Sequence, residues 1–260
     1  MVGYARATGR RILGITDHWG CYVNPPAQIE FRHYAADLSG YAQFAADVRD
    51  ARTKYTDIII AFGPETPLPD IVAGTCDDAF ALPEVDYFLG EPRGVNEING
   101  VGEELVTGME HMARLRDRVG RPCFLAHPLR GLVNYYVGGT GPGPRYPRQP
   151  AHPPLDQYSD PLVHVEELFG ISLRDLARVS IDYGIPLEIN ESTWGRILGQ
   201  NQEWFAERYP FFFRTLLEMG VEVMLGSDQH IADNGACTPF TVARMLGVTP
   251  CDMKFLRHWL

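Results

Sequence analysis

No stretch of this chain is long and apolar enough to cross a bilayer; the longest hydrophobic run, around Asp57–Phe62, is strand-sized. An apolar signal core is missing as well, since the first residues instead cluster Arg6, Arg10 and Arg11 around Thr8, and no secretion signal is read there. Positive charge is in short supply: 23 Lys and Arg face 33 Asp and Glu, for a formal net charge of −10. That balance excludes the basic face that a nucleic-acid backbone requires. Paired cysteines are lacking too. The five cysteines (Cys21, Cys76, Cys123, Cys237, Cys251) form no CxxC, a pattern of reduced thiols rather than of a disulfide framework. The expected setting is therefore cytoplasmic, with neither nucleic acid nor membrane as a partner. No period of self-similarity exists, which excludes a solenoid. What remains is a chain of 260 residues, 45% hydrophobic with mean hydropathy −0.16, suited to one large domain spanning residues 1–260.

One unit recurs along it: an amphipathic helix, a glycine, then a short apolar strand. Thr8-Gly9 precedes RRILGITDH, Val119-Gly120 precedes RPCFLAHP, Tyr183-Gly184 precedes IPLEIN, and Met219-Gly220 precedes VEVMLGSD. Each glycine stands where a helix C-terminus takes a left-handed residue. Tyr41, Phe44, Val48, Ala51 and Tyr55 recur at three and four residues and predict one buried helix stripe; Leu105, Met109, Met112, Leu115 and Val119 predict another. Ser172 with Asp175 reads as a helix start, as does Thr238-Pro239. The opening MVGYARATG reads as the last turns of a helix.

Six segments read as strands: Ile12–Thr16, Asp57–Phe62, Val85–Leu89, Cys123–Ala126, Pro186–Ile189 and Glu222–Leu225. Short, nearly all apolar and separated by helices, they predict an α/β protein with a parallel sheet. The Pro/Gly-rich stretch of residues 137–161 interrupts the rhythm as a long loop, read as a lid over a site rather than a linker.

Residues able to do chemistry gather at the strand ends. Asp17 and His18 follow the first strand and Glu65 the second; His127 ends FLAHP; Glu188 and Asn190 end PLEIN; Asp228 and His230 follow MLGSDQH. In a parallel barrel the C-terminal strand ends share one mouth, so these residues converge. Imidazole nitrogens and carboxylate oxygens are donors for Zn²⁺, Mn²⁺ or Fe²⁺. Each residue taken alone also has a plain structural reading, such as Asp17 capping a turn. Five strand ends in succession delivering Asp, Glu or His is what points to a metal or anion site. His33, His111, His152, His164 and His258 read as solvated.

In this order, GITDH, GPE, AHP, EIN and GSDQH resemble the strand-end motifs of the PHP (polymerase and histidinol phosphatase) family, in its histidinol-phosphatase-like branch. The likeness runs over nearly the whole chain. It implies a distorted (β/α)7 TIM-like barrel, divalent metal ions (Zn, Mn or Fe), and hydrolysis of a small phosphorylated substrate by a metal-activated water, with no side chain singled out as catalytic. By matching motif, His18, Glu65, His127, Asp228 and His230 take metal-ligand positions, Glu65 between two ions. Asp17, Glu188 and Asn190 are expected to support the ligands.

Two departures from the family pattern matter. The HxH strand that opens the family's barrel has no counterpart here, so the resemblance implies a barrel without its first strand. Its open edge is then expected to be covered by the Pro-rich loop, by a second copy of the chain, or not at all. Where the family closes a strand with GSVH, this chain has Gly90-Glu91-Pro92-Arg93. Arg93, together with Arg130 of HPLR, suits a substrate phosphate or carboxylate, and Glu91 is a weaker candidate for a substitute metal oxygen. The family's three ion positions keep about two ligands each, below the three of a typical catalytic zinc site, so incomplete metal occupancy is expected. Cys21 as a recruited ligand is weaker than a plain turn cysteine. The expected function is a metal-dependent phosphoesterase; the alternatives are a catalytically impaired relative that binds an anion, or an amidohydrolase-like enzyme acting on a non-phosphate bond.

Overall fold

Short apolar segments separated by helices have one economical arrangement, a parallel sheet with its crossovers packed on the convex face, and the chain adopts it. The computed structural model describes residues 2–7, 9–18, 38–73, 82–92, 101–137, 151–199, 202–228 and 240–259. Six parallel strands pair in sequence order: β1 (Ile12–His18), β2 (Ile59–Pro67), β3 (Phe88–Glu91), β4 (Cys123–Leu125), β5 (Leu187–Asn190) and β6 (Val223–Gly226). The sheet curls into a half-barrel of the distorted TIM type, with β1 and β6 at its ends. All six expected strands are present. Their bounds differ: β2 runs on through the GPE motif to Pro67 and β1 to His18, because the two pair residue by residue from Ile12↔Ile59 to His18↔Glu65, and β3 begins at Phe88 rather than Val85.

Alternation along the strands sorts side chains onto two faces. Ile15, Ile60, Phe62, Phe88, Cys123, Leu125, Leu187, Ile189 and Val223 face the helices and form the main core. The opposite parity (Ala61, Tyr87, Leu89, Phe124, Ala126) makes a smaller cluster on the concave face, on which Met224, Phe255 and Trp259 pack. Phe255 meets Phe124 edge-on at 4.7 Å between ring centroids, so the chain's last described turn plugs the inner face below the mouth. Tyr87 crosses this interior to hydrogen-bond the Thr16 hydroxyl at 2.7 Å and the Ile15 carbonyl at 3.0 Å.

The connecting helices are α1 (Val2–Ala7), α2 (Leu38–Lys54), α3 (Leu68–Ala73), α4 (Val101–Val119), α5 (Arg130–Val137), α6 (Pro161–Phe169), α7 (Leu173–Tyr183), α8 (Glu191–Gly199), α9 (Glu203–Glu218) and α10 (Thr241–Leu246). Among the described residues no helix is long and apolar enough to cross a membrane. Tyr41 and Val48 of α2, and Leu105, Met109, Met112 and Leu115 of α4, are buried as their spacing predicts. The four glycines preceding strands are all left-handed: Gly9, Gly120, Gly184 and Gly220 have φ of 73°, 67°, 61° and 91°. Ser172 caps α7 by accepting the Asp175 N–H at 3.3 Å. Thr238-Pro239 lies outside the described residues; the start of α10 is held instead by Glu191, whose Oε1 accepts the Val242 N–H at 3.0 Å.

The Pro/Gly-rich stretch lies between α5 and α6 and is irregular where it is described, apart from one 3₁₀ turn. Val137 closes α5, Leu155–Gln157 forms a 3₁₀ turn, and Pro161 opens α6 behind an Asp160 cap; residues 138–150 lie outside the described set. His152 and His164 are not solvated as expected but half-buried beside Arg208, which is fully buried. Its guanidinium donates to the Pro153 carbonyl at 2.8 Å and to His164 Nε2 at 3.0 Å. A buried guanidinium can use an imidazole nitrogen as acceptor only when that nitrogen carries no proton. Burial first, and the Arg208 charge second, lower the pKa of both histidines and keep them neutral.

Close approach between β2 and the segment before β3 depends on Gly63. A Cβ there would lie 2.2 Å from the Tyr87 carbonyl oxygen, a backbone atom that cannot yield. Gly63→Ala is expected to destabilise the fold by about 3 kcal/mol, read as a lower urea midpoint with an unchanged m value.

Candidate metal centre

The strand ends deliver their polar residues to one mouth. His18 and Glu65 are direct neighbours across β1 and β2, and β3 carries Glu91 one inward-facing position beyond Leu89, which pairs with Glu65. His127 reaches the same place by a different route. By alternation it belongs on the helix face, since Phe124 and Ala126 face inward. Its backbone turns left-handed, with φ of 21°, and swings the ring back over the mouth. Asp228, after β6, also has positive φ, at 47°. These are the two non-glycine residues with positive φ among those described, and such geometry persists only where the surroundings hold it.

What holds His127 is a buried network. Glu188, 3% exposed, accepts the His127 backbone N–H at 2.6 Å and the Asn190 side-chain amide at 3.2 Å, both on Oε2. Gly226 of β6 makes room for it, because a Cβ at that position would overlap Glu188 Oε1. Asn190, fully buried, ends β5 and caps α8, its Oδ1 accepting the Thr193 N–H at 2.8 Å. Tyr209 receives the Asn190 N–H and donates to its carbonyl, each at 3.0 Å.

His127 Nε2 donates to Glu65 Oε1 at 2.8 Å. Glu65 Oε2 lies 3.9 Å from His18 Nε2. Glu91 faces both rings, with Oε2 3.9 Å from His18 Nδ1 and Oε1 3.8 Å from His127 Nε2. One donor atom each from His18, Glu65 and Glu91 lies within 4.8 Å of the others. The Nδ1 of His127, buried, has no hydrogen-bond partner. Imidazole and carboxylate donors converging without filling one another's valence fit a divalent cation.

The electrostatics of the cluster are lopsided. Burial works to raise the Glu65 pKa, but the His127 hydrogen bond and the charges of His127, His18 and Arg130 bring it down to about 2. Burial raises Glu91, and the Glu65 charge raises it further. Glu188 is pushed up to about 7, mainly by burial. Among the described residues, Glu65, Glu91 and Glu188 thus share a mouth with imidazoles and with the guanidinium of Arg130.

That arginine is Arg130, at the start of α5. It donates to Asp228 Oδ2, to Thr193 Oγ1 at 3.0 Å and to Asn190 Oδ1 at 3.3 Å. The structure therefore brings together His18, Glu65, Glu91, His127 and Glu188, with Arg130, Asn190 and Asp228 alongside. Asp17 accepts the His18 N–H on its own side-chain oxygen at 2.8 Å, a local turn contact. His230, Arg93 and Cys21 lie outside the described residues.

A curled α/β half-barrel of the distorted TIM type, with His and Glu at the C-terminal ends of its strands, is a histidinol-phosphatase-like fold. Two solved structures share it. One is the histidinol phosphate phosphatase HisK of Lactococcus lactis subsp. lactis Il1403, complexed with Zn, L-histidinol and phosphate, with a TM-score of 0.58 and 16% identity over 94% of this chain and 84% of that one. The other is a protein assigned as the histidinol phosphatase HisK of Listeria monocytogenes, with a TM-score of 0.55 and 13% identity over 90% of each chain. No protein-family model matches the sequence, and no curated protein matches it. At these identities the likeness establishes the fold.

Proposed function

We propose that this protein is a metal-dependent phosphoesterase acting on a small phosphate monoester. The observation that carries this reading is the convergence of His18, Glu65, Glu91 and His127 at the C-terminal mouth of β1–β4. Divalent cations held there would lower the pKa of a water molecule and neutralise phosphoryl oxygens. His18, Glu65, His127 and Asp228 would hold them, as would His230 by its place in the sequence, while Arg93 by its place would meet the substrate's anionic group. The chain's own part is orientation. Glu188 and Asn190 fix the His127 backbone, and Asp17 ties the His18 amide. Arg130, a planar fork already at the mouth, matches a phosphate's paired oxygens. The HisK neighbour bound to Zn, L-histidinol and phosphate supports the choice of substrate class.

A second reading, a barrel that binds an anion without turning it over, is favoured by the Arg130–Asp228 ion pair, because an aspartate neutralised by a guanidinium is a poorer metal ligand. One experiment separates the two. Reconstituted with Zn²⁺, Mn²⁺ or Fe²⁺, the protein is expected to hydrolyse phosphate monoesters, L-histidinol phosphate first among them, with activity lost on chelation and restored by metal. Bound metal without phosphomonoester turnover would favour the anion binder; turnover of amides or lactones instead would move the enzyme to a different bond.

A further inference from the structure

We propose that Glu91 is a ligand of the cation and sets which metal the centre prefers; this rests on the metal-dependent reading above. The residue sits at the inner end of β3, on the same strand face as Tyr87 and Leu89. Its two oxygens face two different imidazoles, at 3.9 Å from His18 Nδ1 and 3.8 Å from His127 Nε2. Both gaps are too long for hydrogen bonds, yet they suit donors that share a cation through bonds of roughly 2.0–2.2 Å.

The charge count points the same way. The Glu91 side chain is 26% exposed, beside Glu65, and among the described residues it forms no ion pair with an arginine or lysine. Two carboxylates drawn together out of water repel one another and lose hydration, and a divalent cation between them offsets both effects. The packing behind β3 is also specific: a Cβ on Gly90 would collide with Met112 Sδ at 2.4 Å, so the strand end that presents Glu91 is seated tightly against α4.

The consequence is selectivity. An imidazole at this place would make the donor set nitrogen-rich and suited to Zn²⁺; a carboxylate makes it oxygen-rich and shifts the balance towards Mn²⁺. Zn²⁺ still binds more tightly in absolute terms by the usual order of divalent affinities, so the effect lies in the ratio of the two affinities.

The test is metal titration by calorimetry and by the electron paramagnetic resonance signal of Mn²⁺, on the full chain and on Glu91→Gln and Glu91→His. Glu91→Gln is expected to weaken both Mn²⁺ and Zn²⁺ at least about 10-fold. Glu91→His is expected to recover Zn²⁺ but not Mn²⁺, raising the Zn/Mn affinity ratio at least about 10-fold over the parent. Unchanged Mn²⁺ and Zn²⁺ affinity in Glu91→Gln, or an unchanged ratio in Glu91→His, overturns the assignment of Glu91 and leaves the hydrolase reading standing. Failure of the parent chain to take up any divalent cation overturns both.

Discussion

Under the proposed function, Glu65→Gln is expected to cut phosphomonoester turnover by about 10²–10³-fold and to abolish the rise in melting temperature expected of the parent protein with metal. The carboxylate hydrogen-bonds His127 at 2.8 Å and lies 3.9 Å from His18, between two candidate ligands. An amide of the same shape keeps a hydrogen bond but loses the charge that would hold a cation. In the parent, metal at about 100 times its dissociation constant adds about 2.7 kcal/mol, roughly 5–10 °C for a chain of this size. That shift needs no turnover, so it separates loss of metal from loss of chemistry.

In the metal-free protein the same substitution leaves a signature in pH. Glu65 is held down to about 2 from 4.5, and its His127 partner, despite burial, is raised to about 9 from 6.5 by the Glu65 hydrogen bond and charge. The depressed carboxylate contributes stability that is full above pH 4.5 and lost as pH falls through 2. The raised imidazole contributes stability that is full below pH 6.5 and lost as pH rises through 9. Between 4.5 and 6.5 both act, and there Glu65→Gln is most damaging, by about 3–5 kcal/mol if His127 stays charged. At pH 8 the loss is smaller, because an imidazole freed of Glu65 sheds its proton instead of remaining a buried, unpaired cation. Denaturant melts of metal-free protein across pH 4–9 check both the size and the slope.

Residues whose position follows from a local rule were readable from the chain. The six strands are continuous apolar runs, and the four left-handed glycines follow helices that could not otherwise turn into them. His18 and Glu65 meet because a parallel register puts the ends of β1 and β2 side by side. Glu91 is the weaker expectation because the resemblance puts the strand's ligand two residues later, at Arg93. Yet simple alternation from Tyr87 through Leu89 carries Glu91 onto the concave face, and that signal was in the sequence. His127 is the opposite case: alternation along Cys123–Ala126 puts it on the helix face, and only a backbone reversal at φ of 21° brings it in. No propensity scale foresees that, because Glu188, 61 residues away, stabilises it. The Arg130–Asp228 pair likewise depends on how far the sheet curls, a property of the assembled barrel.

Glu188 yields an expected result of unusual sign: Glu188→Gln should be more stable than the parent at pH 8 by about 1–3 kcal/mol, while Glu188→Ala should be less stable by about 2–3 kcal/mol. The carboxyl is pushed from 4.5 up to about 7, chiefly by burial and then by the charges of Glu65 and Asp228, against the pull of His127. Between those values the folded protein keeps a proton that the unfolded chain has released. Stability therefore falls as pH rises from 4.5 towards 7, and the whole loss is present above that. Glutamine cannot ionise, and its single carbonyl can do the work of Oε2, which already accepts both the His127 N–H and the Asn190 amide. Alanine removes that acceptor, strands two buried donors and releases the left-handed turn at His127. Melts at pH 4.5 and pH 8 distinguish the three proteins: glutamine matches the parent at the lower pH and exceeds it at the higher. The same Glu188→Gln protein is expected to bind divalent metal about 10-fold more weakly. A carboxylate retained where an amide would be more stable is then explained by the cation it helps to hold. Should glutamine bind metal as tightly as the parent, Glu188 is a hydrogen-bonding strut and its charge has no part in the centre.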